Sequence, residues 1–249
     1  MTADARPPLR FRDLTLGYRR HPAVHHLTGD VAAGTLLAVV GPNGAGKSTL
    51  FKGIVGLMAP LSGSIERAGE VRGIAYLPQV AEIDRSFPIN VYDFVAVGLW
   101  RRIGPFGAVG AAERVRVDAA LATVGLTGFE RRPIAALSGG QLQRVLFARL
   151  SLQDSAVIVL DEPFNAVDDR TVGDLVALVQ RWHREGRTVL AALHDLRLVA
   201  AHFPRTLLMA REPVAWGETA AVLTRENLER ARHMCEAFEE TAGECAAPR

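Results

Sequence analysis

Residues 9–18 (LRFRDLTLGY) alternate apolar and polar side chains, the period of a strand with one covered face. Residues 36–40 (LLAVV) are apolar throughout, and residues 156–160 and 188–193 repeat that character. Short continuous apolar runs fit strands buried on both faces, as in a parallel sheet sandwiched by helices, so the pattern predicts an α/β fold. Between the first and second of these runs, residues 91–99, 111–124 and 141–152 have helical character, which predicts a helical subdomain inserted into the core. Residues 168–185 place Val172, Leu175, Val176, Leu178 and Val179 at helical spacing, a helix packed on the sheet. From Glu226 the chain reads as one amphipathic helix and then a frayed end, AGECAAPR.

Composition narrows the class. With 249 residues, 49% of them hydrophobic and 22% charged, the chain has enough apolar material for a substantial core and is neither disordered nor collagen-like. Lys and Arg number 29 against 27 Asp and Glu, a net charge of +2, which is too small to predict nucleic-acid binding; Arg19-Arg20, Arg101-Arg102 and Arg131-Arg132 read as solvated surface. The two cysteines, Cys235 and Cys245, form no disulfide framework, and a reducing compartment is expected. No apolar run approaches the roughly 18 residues of a membrane span, nor does the N-terminus carry a signal-peptide stretch, so a cytoplasmic location is expected and any membrane role would pass through a partner chain.

The sharpest chemical feature is Gly41-Pro42-Asn43-Gly44-Ala45-Gly46-Lys47-Ser48, directly after the buried LLAVV run and before a helical stretch, with the adjoining Thr49 as a further candidate for binding nucleotide. Such a G-x-x-x-x-G-K-[ST] loop turns consecutive N–H groups toward phosphate oxygens and adds the positive end of the following helix. Lys47 would reach the β and γ phosphates and the Ser48 hydroxyl would ligate Mg2+; without an anion the lysine would stand unpaired against a positive helix end. The run Val157-Ile158-Val159-Leu160-Asp161-Glu162-Pro163 ends in two adjacent carboxylates. Successive strand residues point in opposite directions, so Asp161 is expected to face the Mg2+ while Glu162 faces a water in line with the γ-phosphate and polarises it as general base.

Leu137-Ser138-Gly139-Gly140-Gln141 decides between nucleotide-binding classes. A serine and two bare glycines at the mouth of a helix make a second anion receptor in the same chain. Here the sequence resembles the ATP-binding subunits of ABC transporters, whose signature is LSGGQ, over essentially its whole length. The resemblance implies a P-loop (RecA-like) core with a mostly parallel sheet at about 1–84 and 155–225, an N-terminal antiparallel β region, a helical subdomain at about 85–154 and a tail at about 226–249. It further implies ATP and Mg2+ as cofactors and a dimer, in which the signature of one subunit closes over the γ-phosphate held by the other.

Further roles follow from the resemblance, position by position. Tyr18 matches the aromatic residue that stacks on adenine, with packing at a strand end as the alternative. Gln79, in Tyr76-Leu77-Pro78-Gln79, matches the glutamine that contacts Mg2+ and the attacking water. His194 matches the switch histidine at the γ-phosphate. Asn165-Ala166-Val167-Asp168 occupies the D-loop, which more often reads SALD; Asp168 is kept, while Asn165 replaces the usual serine with an amide that still donates and accepts.

Residues 86–100 (SFPINVYDFVAVGLW) carry many large apolar side chains and follow Gln79, where such subunits receive the coupling helix of a membrane partner. Burial inside the helical subdomain is the alternative. This segment, with LSGGQLQRVLFAR and DEPFNAVD, is similar to zinc and manganese importers, which implies a permease, a periplasmic or extracellular metal-binding protein feeding it, and a place at the cytoplasmic face of the membrane. Chelated iron or cobalamin import stays open, as does a non-transport ATPase acting as an iron–sulfur assembly clamp. The stretch between Lys47 and Ser138 holds no sustained heptads, unlike the coiled-coil repair clamps. His21, His25 and His26 cluster after Tyr18, and His233 neighbours Cys235 and Cys245, but neither group has the paired spacing of a structural zinc site.

Overall fold

A computed structural model describes residues 7–18, 21–68, 73–104, 107–165 and 167–241. The chain opens with β1 (Leu9–Tyr18), β2 (His21–Val31) and β3 (Leu36–Val40), followed by α1 (Lys47–Ile54), β4 (Ser62–Arg67) and β5 (Ile74–Leu77). The helical segment then comprises α2 (Val91–Ala96), α3 (Trp100–Ile103), α4 (Ala111–Thr123) and α5 (Gly139–Ser151). The chain returns through β6 (Val157–Asp161), α6 (Asp169–Arg184), β7 (Thr188–Ala192), α7 (Leu196–His202), β8 (Arg205–Ala210) and β9 (Glu212–Glu218). It ends in α8 (Thr219–Val222) and α9 (Arg225–Thr241).

Two sheets form, the parallel one that the patterning predicts and the N-terminal antiparallel one that the resemblance implies. The larger has the order β5-β6-β7-β3-β8-β9, parallel from β5 to β8 with β9 antiparallel at the edge. The smaller is antiparallel, with the order β2-β1-β4. Every residue of β3, β6 and β7 is buried, which is why these strands lack polar alternation. Strands β5 and β8 were not marked by the pattern, although β8 is buried from its second residue on, and neither were β2, β4 and β9. The residues of β2, β4 and β9 are mostly half-buried or exposed, so their side chains carry no clean period.

The helical segment packs through Val91, Val95 and Leu99, Val117 and Leu121, and Leu142 and Leu146, all buried. On α5, Phe147 stacks on Trp182 of α6 at 5.8 Å between ring centres, with 9° between the planes, and so ties the segment to the core. The apolar segment 86–100 divides. Val91, Val95, Ala96 and Leu99 are buried, whereas Phe87, Val97 and Trp100 stay exposed. The tail helix α9 buries Ala231 and Cys235; Cys245 and the frayed end lie outside the described residues, as do Arg19, Arg20 and Ala166. No helix among the described residues is long and apolar enough to cross a membrane.

Candidate nucleotide site

The carboxyl ends of four adjacent parallel strands deliver the chemistry. Beyond β5 lies Gln79, at the end of β6 lie Asp161 and Glu162, beyond β7 lies His194, and beyond β3 lies the loop 41–48. Open α/β sheets present ligands at this edge because the loops leaving neighbouring strands converge there.

The loop geometry depends on glycine at two points. Gly46 has φ +90°, and a Cβ there would stand 2.3 Å from the Ala23 carbonyl oxygen. At Gly41 the intruding atom would be the carbonyl oxygen of Met209, 2.1 Å away. The loop is pinned by an Ala45 N–H to the Pro42 carbonyl (3.2 Å) and by the Arg211 N–H to the Ala45 carbonyl (3.1 Å). Helix α1 starts at Lys47 with no side-chain cap, which leaves its first N–H groups free for an anion. A cavity of about 300 Å³ lies over them, lined by residues 43–49 with Ala23, Gln79 and Glu162.

Lys47 differs from expectation. Its ammonium is not unpaired but donates to the carbonyls of Gly41 (2.9 Å) and Pro42 (3.0 Å), because the curled loop turns those oxygens inward. Burial lowers its pKa from the ordinary lysine value, opposed by the carboxylates of Glu162 and Asp161.

Ser48, Asp161 and Gln79 meet in one corner. The Ser48 hydroxyl donates to Asp161 Oδ1 at 3.1 Å, and the Gln79 amide donates to Ser48 Oγ at 3.2 Å. Asp161 is fully buried, and its Oδ2 has no hydrogen-bond partner. Burial pushes its carboxyl up to about 6, against the hydrogen bond from Ser48. The Tyr76 hydroxyl, buried and also without a partner, has its pKa raised by burial and then by the charge of Asp161. A buried hard-oxygen corner with an orphaned carboxylate oxygen suits a small divalent cation such as Mg2+.

Glu162 diverges from Asp161 by a route other than strand alternation. The strand ends at Asp161, and Glu162 adopts φ +51°, a left-handed turn that throws its side chain into the cavity. His194 Nε2 lies 2.5 Å from its Oε1, and Asn165 Nδ2 donates to its Oε2, also at 2.5 Å. Neither contact has a sequence period that would announce it.

Ser138 caps α5, accepting from the Gln141 N–H (3.2 Å), while the Gln141 side chain accepts from the Ser138 N–H (3.0 Å). Leu137 is buried, Ser138 is exposed, and Gly139 and Gly140 are partly open. None of residues 137–141 lines the cavity over the loop. Tyr18 ends β1 with 52% of its surface exposed, more than packing at a strand end would leave. Asp168 caps α6 through the Thr171 N–H (3.0 Å) and hydroxyl (2.8 Å).

Sequence patterning did not mark Gln143. It is fully buried on α5 and donates to the Pro163 carbonyl at 2.5 Å, joining the signature helix to the residue after Glu162. The only hint was a polar residue on the face of Leu142 and Leu146. The histidines do not gather. His26 contacts Asp13 at 2.7 Å, and no group of three or more metal-ligating side chains occurs among the described residues.

The chain is similar to several known proteins. The family model described as ABC transporter matches residues 24–165. The zinc transport system ATP-binding protein TroB of Treponema pallidum is 39% identical over 224 residues, covering 88% of this chain and 84% of that protein. The manganese transport system ATP-binding protein MntB of Listeria monocytogenes is 37% identical over 226 residues, covering 89% and 94%. A solved inward-facing structure, assigned to the metal-chelate type of ABC transporter, superposes with a TM-score of 0.80 at 31% identity, covering 91% of this chain and 89% of the other.

Proposed function

The chain belongs to the ABC transporter family and is an ATP-hydrolysing subunit coupled to transport, and on that premise we propose that it energises uptake of zinc or manganese through a separate permease. The cargo follows from relatives named for those two metals. The chemistry rests on one observation above all: Glu162, with its carboxylate aimed into the cavity over the phosphate loop and met by His194.

In this reading the loop 41–48 and the N–H groups of α1, including that of Thr49, bind the phosphates of ATP, and Tyr18 stacks on the adenine. Lys47 exchanges the carbonyls of Gly41 and Pro42 for phosphate oxygens. Ser48, Gln79 and Asp161 hold Mg2+, which neutralises phosphate charge when bound. Glu162 takes the proton of the attacking water at Oε1 or Oε2, and His194 fixes that carboxylate and reaches the γ-phosphate. Leu137, Ser138, Gly139, Gly140 and Gln141 serve the ATP of a second, identical subunit, with Asp168 at the seam between the two. ATP touching both halves only when they are closed gives the closed dimer its differential stability.

The core, helical and tail segments divide near residues 84, 154 and 225. In this reading the exposed Phe87, Val97 and Trp100 supply the apolar face on which the permease rests, and the subunit works at the cytoplasmic side of the membrane. A periplasmic or extracellular metal-binding protein feeds that permease, and no nucleic acid takes part. The deciding experiment is growth of a deletion strain under zinc or manganese starvation. Wild type restores growth on one of these metals and Glu162→Gln does not; rescue by a siderophore or cobalamin alone would reassign the cargo.

A further inference from the structure

We propose that Asn165 is a positioning residue for hydrolysis: its amide sets the plane of the Glu162 carboxylate so that the remaining lone pairs point at water. The inference rests on Glu162 being the base. The Asn165 amide holds Oε2 and His194 holds Oε1, each at 2.5 Å, so the carboxylate is fixed at two points by groups from two different loops. Each oxygen keeps a second lone pair, and so the carboxylate still has room to accept a proton from water.

Local geometry explains why the residue is an asparagine. The Asn165 N–H reaches back to the Glu162 carbonyl at 3.3 Å, a tight turn whose first residue has φ +51°. That turn brings side chain 165 over side chain 162. Asparagine reaches Oε2 with a donor, aspartate would place like charge against it, and serine, the commoner residue in this loop, is one bond shorter.

The turn is anchored from behind. Gln143, buried in α5, donates to the Pro163 carbonyl, and Arg144 of the same helix donates to the Thr171 hydroxyl that Asp168 also holds. Both ends of the segment that carries Asn165 are therefore fastened to α5, and the amide is its arm toward Glu162. A fixed frame is what a positioning contact requires, since an orienting hydrogen bond on a loose loop fixes nothing.

The test measures ATP turnover by the transporter reconstituted with its permease, for Asn165→Asp, Asn165→Ala, Asn165→Ser and Glu162→Gln. Asn165→Ala should lower kcat about tenfold, the worth of one hydrogen bond to a charged group, with KM for ATP within about twofold of wild type. Asn165→Asp, which keeps the shape, should lower kcat further and carries the test if the alanine variant does not assemble. Asn165→Ser should recover part of the loss, and Asn165→Ala added to Glu162→Gln should cost nothing more. Wild-type kcat in both Asn165→Asp and Asn165→Ala, beside an inactive Glu162→Gln, overturns the inference and leaves the base in place. A raised KM with unchanged kcat overturns it as well, by moving Asn165 into nucleotide binding. Wild-type turnover in Glu162→Gln removes the base itself.

Discussion

The Ser48 hydroxyl donates to Asp161 Oδ1 across 3.1 Å, joining the first turn of α1 to the end of β6 although β7 lies between β6 and β3, the strand that leads into α1. One oxygen of Asp161 is thereby engaged, and the other is buried and bare. A carboxyl in that position is costly to ionise until a cation arrives.

Stability without nucleotide should record this cost as a dependence on pH. Burial pushes the folded Asp161 carboxyl up to about 6, against 3.8 for an ordinary aspartate. A carboxyl with a raised folded pKa stabilises the chain fully below the unfolded value and loses that contribution as pH climbs through the folded one. The group should withdraw at most about 3 kcal/mol between roughly pH 4 and pH 7. Urea unfolding of wild type and Asp161→Asn across that range checks it: the difference between the two should widen with pH, and parallel curves would contradict the account.

Replacing Lys47 by alanine should weaken ATP binding about a hundredfold, because the ammonium supplies charge-assisted bonds that nothing else in the loop replaces. Folding should survive, since Gly41 and Pro42, whose carbonyls it now holds, are only half-buried and line a second cavity, with Leu193 and His194, where water can take the place of the ammonium. Titration with a fluorescent ATP analogue, beside circular dichroism, separates the two effects.

Two glycines of one loop should respond differently to alanine. Gly46 and Gly44 both have positive φ, +90° and +76°, so each variant incurs the left-handed penalty of about 1–2 kcal/mol. At Gly46 the new methyl also meets the Ala23 carbonyl, whereas at Gly44 nothing lies within 4 Å. Gly46→Ala should therefore be the more destabilised, by about 2 kcal/mol or more beyond Gly44→Ala. Equal unfolding midpoints would show that the β2 segment around Ala23 yields freely.

Glu162→Gln should bind ATP with nearly wild-type affinity yet lose about 100-fold or more in turnover, since the amide keeps the shape and lacks the basic oxygen. ATP should then hold the variant as a dimer, visible by light scattering after gel filtration. A monomer in saturating ATP would refute the trapped state.

Much of this was legible in the sequence because the chemistry sits where backbone rules are strict. The phosphate loop needs glycine at fixed offsets, and the strands that carry it are buried on both faces, so LLAVV and VIVLD declare themselves. Helices α4, α5 and α6 fell within a few residues of their expected bounds for the same reason of periodic burial. What stayed hidden depends on long-range encounters. Gln143 meets Pro163 only after α5 docks on the sheet, and the pairing of Lys47 with loop carbonyls follows from how tightly the loop curls. Glu162 was assigned to the cavity by strand alternation, yet a positive φ puts it there, and no periodicity encodes a single left-handed residue.

The serine–glycine corner at residues 138–140 takes no part in lining the cavity over its own chain's lysine loop. Two defective alleles should for that reason complement each other. A cell making Lys47→Ala and Ser138→Arg chains together would assemble mixed pairs, each with one site damaged twice and one composed wholly of sound parts. Metal-limited growth would return in the mixture although neither allele sustains it alone.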